Sequence, residues 1–198
     1  MRSAGTMASP GRPRPELPAP LAGLVRTLEE LVGAGGDEPR ILEGARRAMR
    51  DLVARDDWLP ESAARAHPRH YSQHLLYLDP EERFSVVSFV WGPGQSTPVH
   101  DHTVWGVIGV LRGAERCEPF RADAGRVSAA APPMLLAAGE VECVSPAIGD
   151  LHRVSNGRAD GVSISVHAYG GNIGKIVRHV YDVQTGATKE FISGYSND

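Results

Sequence analysis

The spacing of hydrophobic positions changes once along this chain, near His70. Upstream, Leu21, Leu24, Val25, Leu28, Leu31 and Val32 recur at helical spacing, and the glycine-rich stretch from Gly33 to Gly36 ends the run. Asp37 then offers an N-cap oxygen, with Glu38 and Pro39 in the first turn. Ile41, Leu42, Ala45, Met49, Leu52 and Val53 form a second apolar stripe. Two short helices are therefore predicted within residues 21–66. Downstream, β-rich runs broken by Gly, Pro and Asn predict strands over Phe84 to Trp91, Val104 to Leu111, Ala114 to Phe120, Met134 to Ala137, Val141 to Val144, Leu151 to Ser155, Val162 to His167 and Ile176 to Tyr181. No helical pattern interrupts them. Short, closely spaced strands of this kind predict a mainly β domain, an antiparallel sandwich or small barrel over about residues 71–185. In a small barrel one face of each strand lines the interior, which provides a dry, shaped cavity.

Composition narrows the class. A chain of 198 residues, 41% hydrophobic and 23% charged, suits one globular domain, here 21–198. Residues 1–20, rich in Pro, Gly, Ser and Ala without periodicity, are expected to form a flexible tail. A net charge of −3 without a long Lys/Arg block argues against nucleic acid as a partner. Arg40, Arg46, Arg47 and Arg50 are interrupted by acids and read as a solvated helix face. No run of eighteen apolar residues occurs, so no membrane span is expected. Cys117 and Cys143 stand alone, without a CxxC pair or a secretory apolar region. The expectation is a cytoplasmic, disulfide-free protein with two ordinary buried thiols and small-molecule partners. Nothing in the pattern sets an oligomeric state.

The chemistry concentrates in His100-Asp101-His102 and in Gly149-Asp150-Leu151-His152-Arg153-Val154-Ser155-Asn156. Alternate residues of a strand share a face, so His100 and His102 can grip one metal ion, and His152 on a nearby strand would complete the set. Neutral imidazole serves iron, copper, nickel and zinc alike. Asp101 should face away and be structural, while His67, His70, His74 and His179 read as hydrogen-bonded core or surface residues. Ser165, His167 and Tyr169 alternate along one strand. By default that marks a solvent-facing strand; alternatively it is a hydrogen-bonded relay whose phenol points at a ligand on the metal. Trp91 and Trp105 read as cavity walls or as simple core.

The stretch from Gly94 through His100 and His102 to Gly113 resembles the first metal motif of the cupin superfamily. The stretch from Gly139 through Pro146 and Gly149 to His152 and Asn156 resembles the second. Many cupins place a glutamate where this chain has Gly106. Three neutral imidazoles would leave a bound ion its full double charge and open coordination positions. His-x-His without the glutamate, a later His, and Ser-x-His-x-Tyr resemble the thiol dioxygenases, the cysteine dioxygenase type I group, over about Tyr71 to Tyr181. The resemblance implies a mononuclear non-haem iron(II) held by His100, His102 and His152, which adds both atoms of dioxygen to a thiolate to give a sulfinate. It also implies that Tyr169, supported by His167 and Ser165, faces substrate and oxygen.

Two departures bear on the substrate. Gly106 stands where the mammalian enzymes carry the cysteine of a thioether with the active-site tyrosine, so Tyr169 is expected unmodified. Gln73, in Tyr71-Ser72-Gln73, stands where they carry the arginine that grips an amino acid carboxylate. A neutral amide cannot replace that charged fork. The chain thus resembles bacterial 3-mercaptopropionate dioxygenases. Arg178 is the candidate partner for the substrate carboxylate, against the plain reading of a surface arginine. Cysteine dioxygenase activity is the alternative. Further alternatives are a non-oxygenase metal-binding cupin, such as an isomerase, a binding protein or a sensor, and a serine hydrolase built on Ser165 and His167, which would lack the G-x-S-x-G elbow.

Overall fold

Helix α1 (Ala19–Gly33) opens a computed structural model that describes residues 16–197. It begins two residues earlier than expected, inside the stretch read as tail. Pro20 sits in its first turn, where a missing N–H leaves no hydrogen bond unmade. Residues 1–15 of the expected tail lie outside the described residues. Helix α2 (Glu38–Val53) starts as predicted, with the Arg40 amide donating to Asp37 Oδ1 at 3.2 Å.

The strands are β1 (Ser72–Leu78), β2 (Ser85–Trp91), β3 (Val99–His100), β4 (Gly106–Arg112), β5 (Ala114–Asp123) and β6 (Arg126–Ala129). They continue as β7 (Met134–Ala137), β8 (Val141–Val144), β9 (His152–Asn156), β10 (Ser163–Tyr169), β11 (Arg178–Tyr181) and β12 (Thr188–Phe191). One sheet runs β1-β2-β10-β4-β8. The other runs β12-β11-β3-β9-β5-β6, with β7 beside β5, and the strand pairings are antiparallel. The molecule is thus mainly β, two antiparallel sheets with two leading helices, as the strand pattern predicted.

The pleat of the first sheet separates two cores. Val86, Val90, Val107, Leu111, Ile164, Val166 and Ala168 face outward and pack against Leu24, Leu28, Met49 and Leu52 of the helices. The alternate positions Val87, Phe89, Trp91 and Tyr169 face inward, where they meet Val154 from the second sheet. Gly109 lets α2 lie close on β4, because a Cβ there would come within 2.7 Å of Met49 Cγ. The helices cover one sheet, so the barrel interior is left to the other set of side chains, and the site is built there.

Candidate metal centre

His100 ends the two-residue strand β3, where it pairs directly with His152 of β9 and, on the other side, with Val180 of β11. His102 follows in the turn after β3. The next residue, Thr103, holds φ at 61°, a left-handed conformation costly for a β-branched residue, by about 1–3 kcal/mol. Asp150 holds this turn: its Oδ2 accepts from the amides of His102 and Thr103 at 3.0 and 2.9 Å. The fold thereby brings His100, His102 and His152 together as a buried group whose ligand atoms lie within 4.8 Å of one another.

Each ring is tethered through Nδ1. His100 donates to the Pro98 carbonyl at 3.1 Å, His102 to Asp150 Oδ1 at 2.9 Å, and His152 faces Cys117 Sγ at 3.4 Å. The Pro98 carbonyl and Asp150 accept only, so for His100 and His102 they fix the tautomer that leaves Nε2 as the coordinating nitrogen. His102 Nε2 is buried and has no hydrogen-bond partner. Burial lowers the pKa of His102 and pushes those of His100 and His152 well below the ordinary imidazole value. Neighbouring histidines lower the latter two further. All three rings therefore favour the neutral, metal-binding form. The donor set fits a divalent transition metal ion, and among the described residues no carboxylate joins the group.

Gly106 explains part of that composition. A Cβ at this position would lie 2.9 Å from Tyr169 Cε1 and 3.0 Å from Val144 Cγ2. The space a fourth ligand would need is filled by the Tyr169 ring, which stacks on His102 at 5.3 Å between centroids and 22° between planes.

Ser165, His167 and Tyr169 form the relay and not the solvent-facing strand that was the default reading. Strand β10 lies between β2 and β4, so neither of its faces meets water: one is covered by the helices and the other lines the barrel. Ser165 Oγ lies 2.8 Å from His167 Nε2, and His167 Nδ1 lies 2.8 Å from Tyr169 Oη. Trp91 closes the far end, donating from Nε1 to Ser165 Oγ at 3.1 Å. Trp105 instead packs against the helix-side core. Burial raises the Tyr169 pKa, so the phenol keeps its proton.

Arg178 is not a surface residue; it is 3% exposed. It shares the inward face of β11 with Val180, the residue opposite His100. Its Nη2 donates to Ser193 Oγ at 2.7 Å, its guanidinium lies 4.6 Å from the centre of the Phe191 ring, and its Nε is buried without a partner. Among the described residues no carboxylate lies within ion-pair reach of it. Gln73, opposite the inward-facing Phe89, is also buried, and its Nε2 donates to Ser193 Oγ at 3.4 Å and to the Gly194 carbonyl at 3.3 Å. Gln73 and Arg178 thus converge on Ser193.

Cys117 and Cys143, expected as ordinary buried thiols, depart from that reading: Cys117 is buried but faces His152, and Cys143 is half-buried, while Asp101 takes the structural place expected of it. Asp101 faces away from the centre and accepts from the His179 amide at 2.8 Å and from Tyr181 Oη at 2.9 Å, with His179 Nδ1 also at 2.9 Å from it. His67 and His70 stack on each other at 3.6 Å. Sequence reasoning missed the tethers Asp150 and Cys117, the bridging Ser193, and Glu115, which is buried behind His167. Asp150 carried a signal, two residues before a ligand histidine; the other three depend on partners distant in sequence.

No family profile matches the chain. A double-stranded β-helix protein from Klebsiella pneumoniae is 18% identical, with a TM-score of 0.45 over 57% of this chain and 87% of its own. An RmlC-like cupin from Desulfovibrio desulfuricans is 23% identical, with a TM-score of 0.41 over 55% and 90% of the two chains. An oxalate oxidase solved with the substrate analogue glycolate is 18% identical, with a TM-score of 0.43 over 56% of each chain. Likenesses this distant say nothing about chemistry, which is read from the centre's own side chains.

Proposed function

We propose that the protein is a mononuclear iron(II) thiol dioxygenase that converts a small thiol carboxylate, 3-mercaptopropionate in preference to cysteine, to its sulfinate. The supporting observation is the junction of the two constellations at one point: His102 of an all-imidazole centre stacks on Tyr169 of a buried Ser-His-Tyr relay. Bound to His100, His102 and His152, iron(II) would supply Lewis acidity toward the thiol and one-electron chemistry toward dioxygen. Three neutral ligands without a carboxylate leave that ion cationic, which suits an anionic sulfur donor.

The chain's own residues do the rest. Arg178 supplies a buried positive charge with no acid partner among the described residues, the condition in which a substrate carboxylate replaces lost hydration of the guanidinium. Ser193 holds Arg178 and Gln73 together at the carboxylate end, while the relay holds Tyr169 at the sulfur end. Fixing both ends of a short substrate turns an encounter into a positioned reaction. Phe89 and Trp91 help to fill the interior behind the relay and exclude water. The balance is closed: sulfur gives up four electrons, dioxygen takes them, both oxygens remain in the sulfinate, and no external reductant is needed. Gln73 offers no charge of its own, so a substrate with one carboxylate and no amino group meets one arginine and no second polar demand.

The test is kcat/KM for 3-mercaptopropionate, cysteine and cysteamine with the iron-loaded protein. 3-Mercaptopropionate should lead by at least tenfold, and Gln73→Arg should narrow the gap toward cysteine. A lead for cysteine would reject the substrate, and no thiol-dependent oxygen uptake would reject the reaction.

A further inference from the structure

We propose that Glu115 is a positioning residue that fixes which way the Ser165-His167-Tyr169 relay points its protons. Its consequence for the thiol rests on the dioxygenase reading; the proton direction itself does not.

Glu115 lies on β5, in the sheet opposite β10, and is 1% exposed. Its Oε2 has no hydrogen-bond partner and sits 3.7 Å from His167 Nε2. The other ionisable groups around it offer no cation. Cys117 shares its strand face, and Glu142 stands on β8 with its own Oε2 unpartnered. Tyr169 lies beyond His167. Among these neighbours only the imidazole can present an N–H to the Glu115 oxygen.

The relay alone does not choose a direction. With hydrogen on Nδ1, His167 donates to Tyr169 and Ser165 donates to Nε2. With hydrogen on Nε2, His167 donates to Ser165 and accepts from Tyr169. The Trp91 donation to Ser165 Oγ is compatible with both, because a hydroxyl accepts twice. The proposed direction requires Glu115 as the carboxylate, whose oxygen 3.7 Å from Nε2 breaks the tie by attracting an N–H and repelling a lone pair. His167 is then the Nε2–H tautomer, and the Tyr169 hydroxyl hydrogen points back at His167. Tyr169 therefore turns oxygen lone pairs toward His102 and the centre, the arrangement that accepts a hydrogen bond from an incoming S–H group.

The experiment is nitrogen-15 NMR of the full chain labelled on histidine, read metal-free and again loaded with zinc as a diamagnetic stand-in. The His167 signals are assigned by their loss in His167→Gln. Wild type should show a protonated Nε2 and an unprotonated Nδ1. Glu115→Leu, which removes both oxygens at similar volume, should shift His167 measurably toward the Nδ1–H form, and Glu115→Asp should keep the wild-type pattern. Glu142→Gln, which removes the other carboxylate, should leave it unchanged. An Nδ1–H tautomer in wild type, or identical tautomers in wild type and Glu115→Leu, would overturn the proposal. An Nδ1–H wild type overturns the proposal even where a variant fails to fold. An Nε2–H tautomer that Glu115→Leu shifts, in a protein without thiol-dependent oxygen uptake, would uphold Glu115 and reject the dioxygenase.

Discussion

Asp150 does two jobs with two oxygens, and the consequences of changing it follow from that division. In Asp150→Asn the amide oxygen can take over the backbone donors of His102 and Thr103, which places the NH2 against His102 Nδ1. The imidazole must then move its hydrogen to Nε2, the nitrogen a metal needs. We expect metal affinity to fall by about 10–100-fold, measured by competition with a chelator, with little change in unfolding temperature. Gly106→Ala presses a methyl group into the Tyr169 ring and should cost about 1–3 kcal/mol of stability. Displacing the phenol should also lower kcat at least tenfold, which steady-state oxygen uptake would show. At this scale the clustered histidines were legible in the sequence as a His-x-His pair and a motif-placed third histidine. Strand alternation fails to account for the pair, since β3 ends at His100 and the Asp150-held turn brings His102 to the group. Glu115, Cys117 and Ser193 were not legible: each matters through a partner tens of residues away, at a distance set by folding.

At the scale of elements, the turn between β1 and β2 depends on Asp79, a fully buried carboxylate that accepts from the amides of Glu81 and Arg83 and from the Arg83 guanidinium at 2.8 and 2.7 Å. Asp79→Ala should lower stability by about 2–3 kcal/mol in denaturant titration. The Arg83 hydrogen bond holds the Asp79 carboxyl below the usual carboxylate range. Its contribution is therefore present above the ordinary value near pH 4 and is lost as pH falls through the lower folded value. The strands over Met134–Ala137 and Val141–Val144 were read from the sequence to the residue. β3 and β6 were missed, since a two-residue strand and a short, mostly exposed one carry almost no periodic signal. β1 and β12 were missed as well. β10 was seen as a strand, and its polar alternation left a solvent-facing strand as the default against the relay; that default fails because the helices cover one face while the barrel encloses the other.

For the whole molecule, the three clustered histidines link stability to pH. Their folded pKa values lie below the ordinary value near 6.5, so on acidification the unfolded chain takes up protons that the folded chain refuses. The metal-free protein should therefore lose stability as pH falls from about 6.5. Added iron(II), held anaerobically, should raise the unfolding temperature more at pH 7.5 than at pH 5.5. Equal shifts at both values would mean that the imidazoles do not hold the ion. The architecture makes this coupling direct, since the centre ties β3 to β9 across the sheet opposite the helices.

Dioxygenation is tested by mass spectrometry of the product formed from 3-mercaptopropionate by the iron-loaded protein under oxygen-18 gas. A dioxygenase yields a sulfinate carrying two oxygen-18 atoms, with one dioxygen consumed per thiol. A disulfide, a product with one labelled oxygen, or oxygen uptake independent of thiol would contradict dioxygenation.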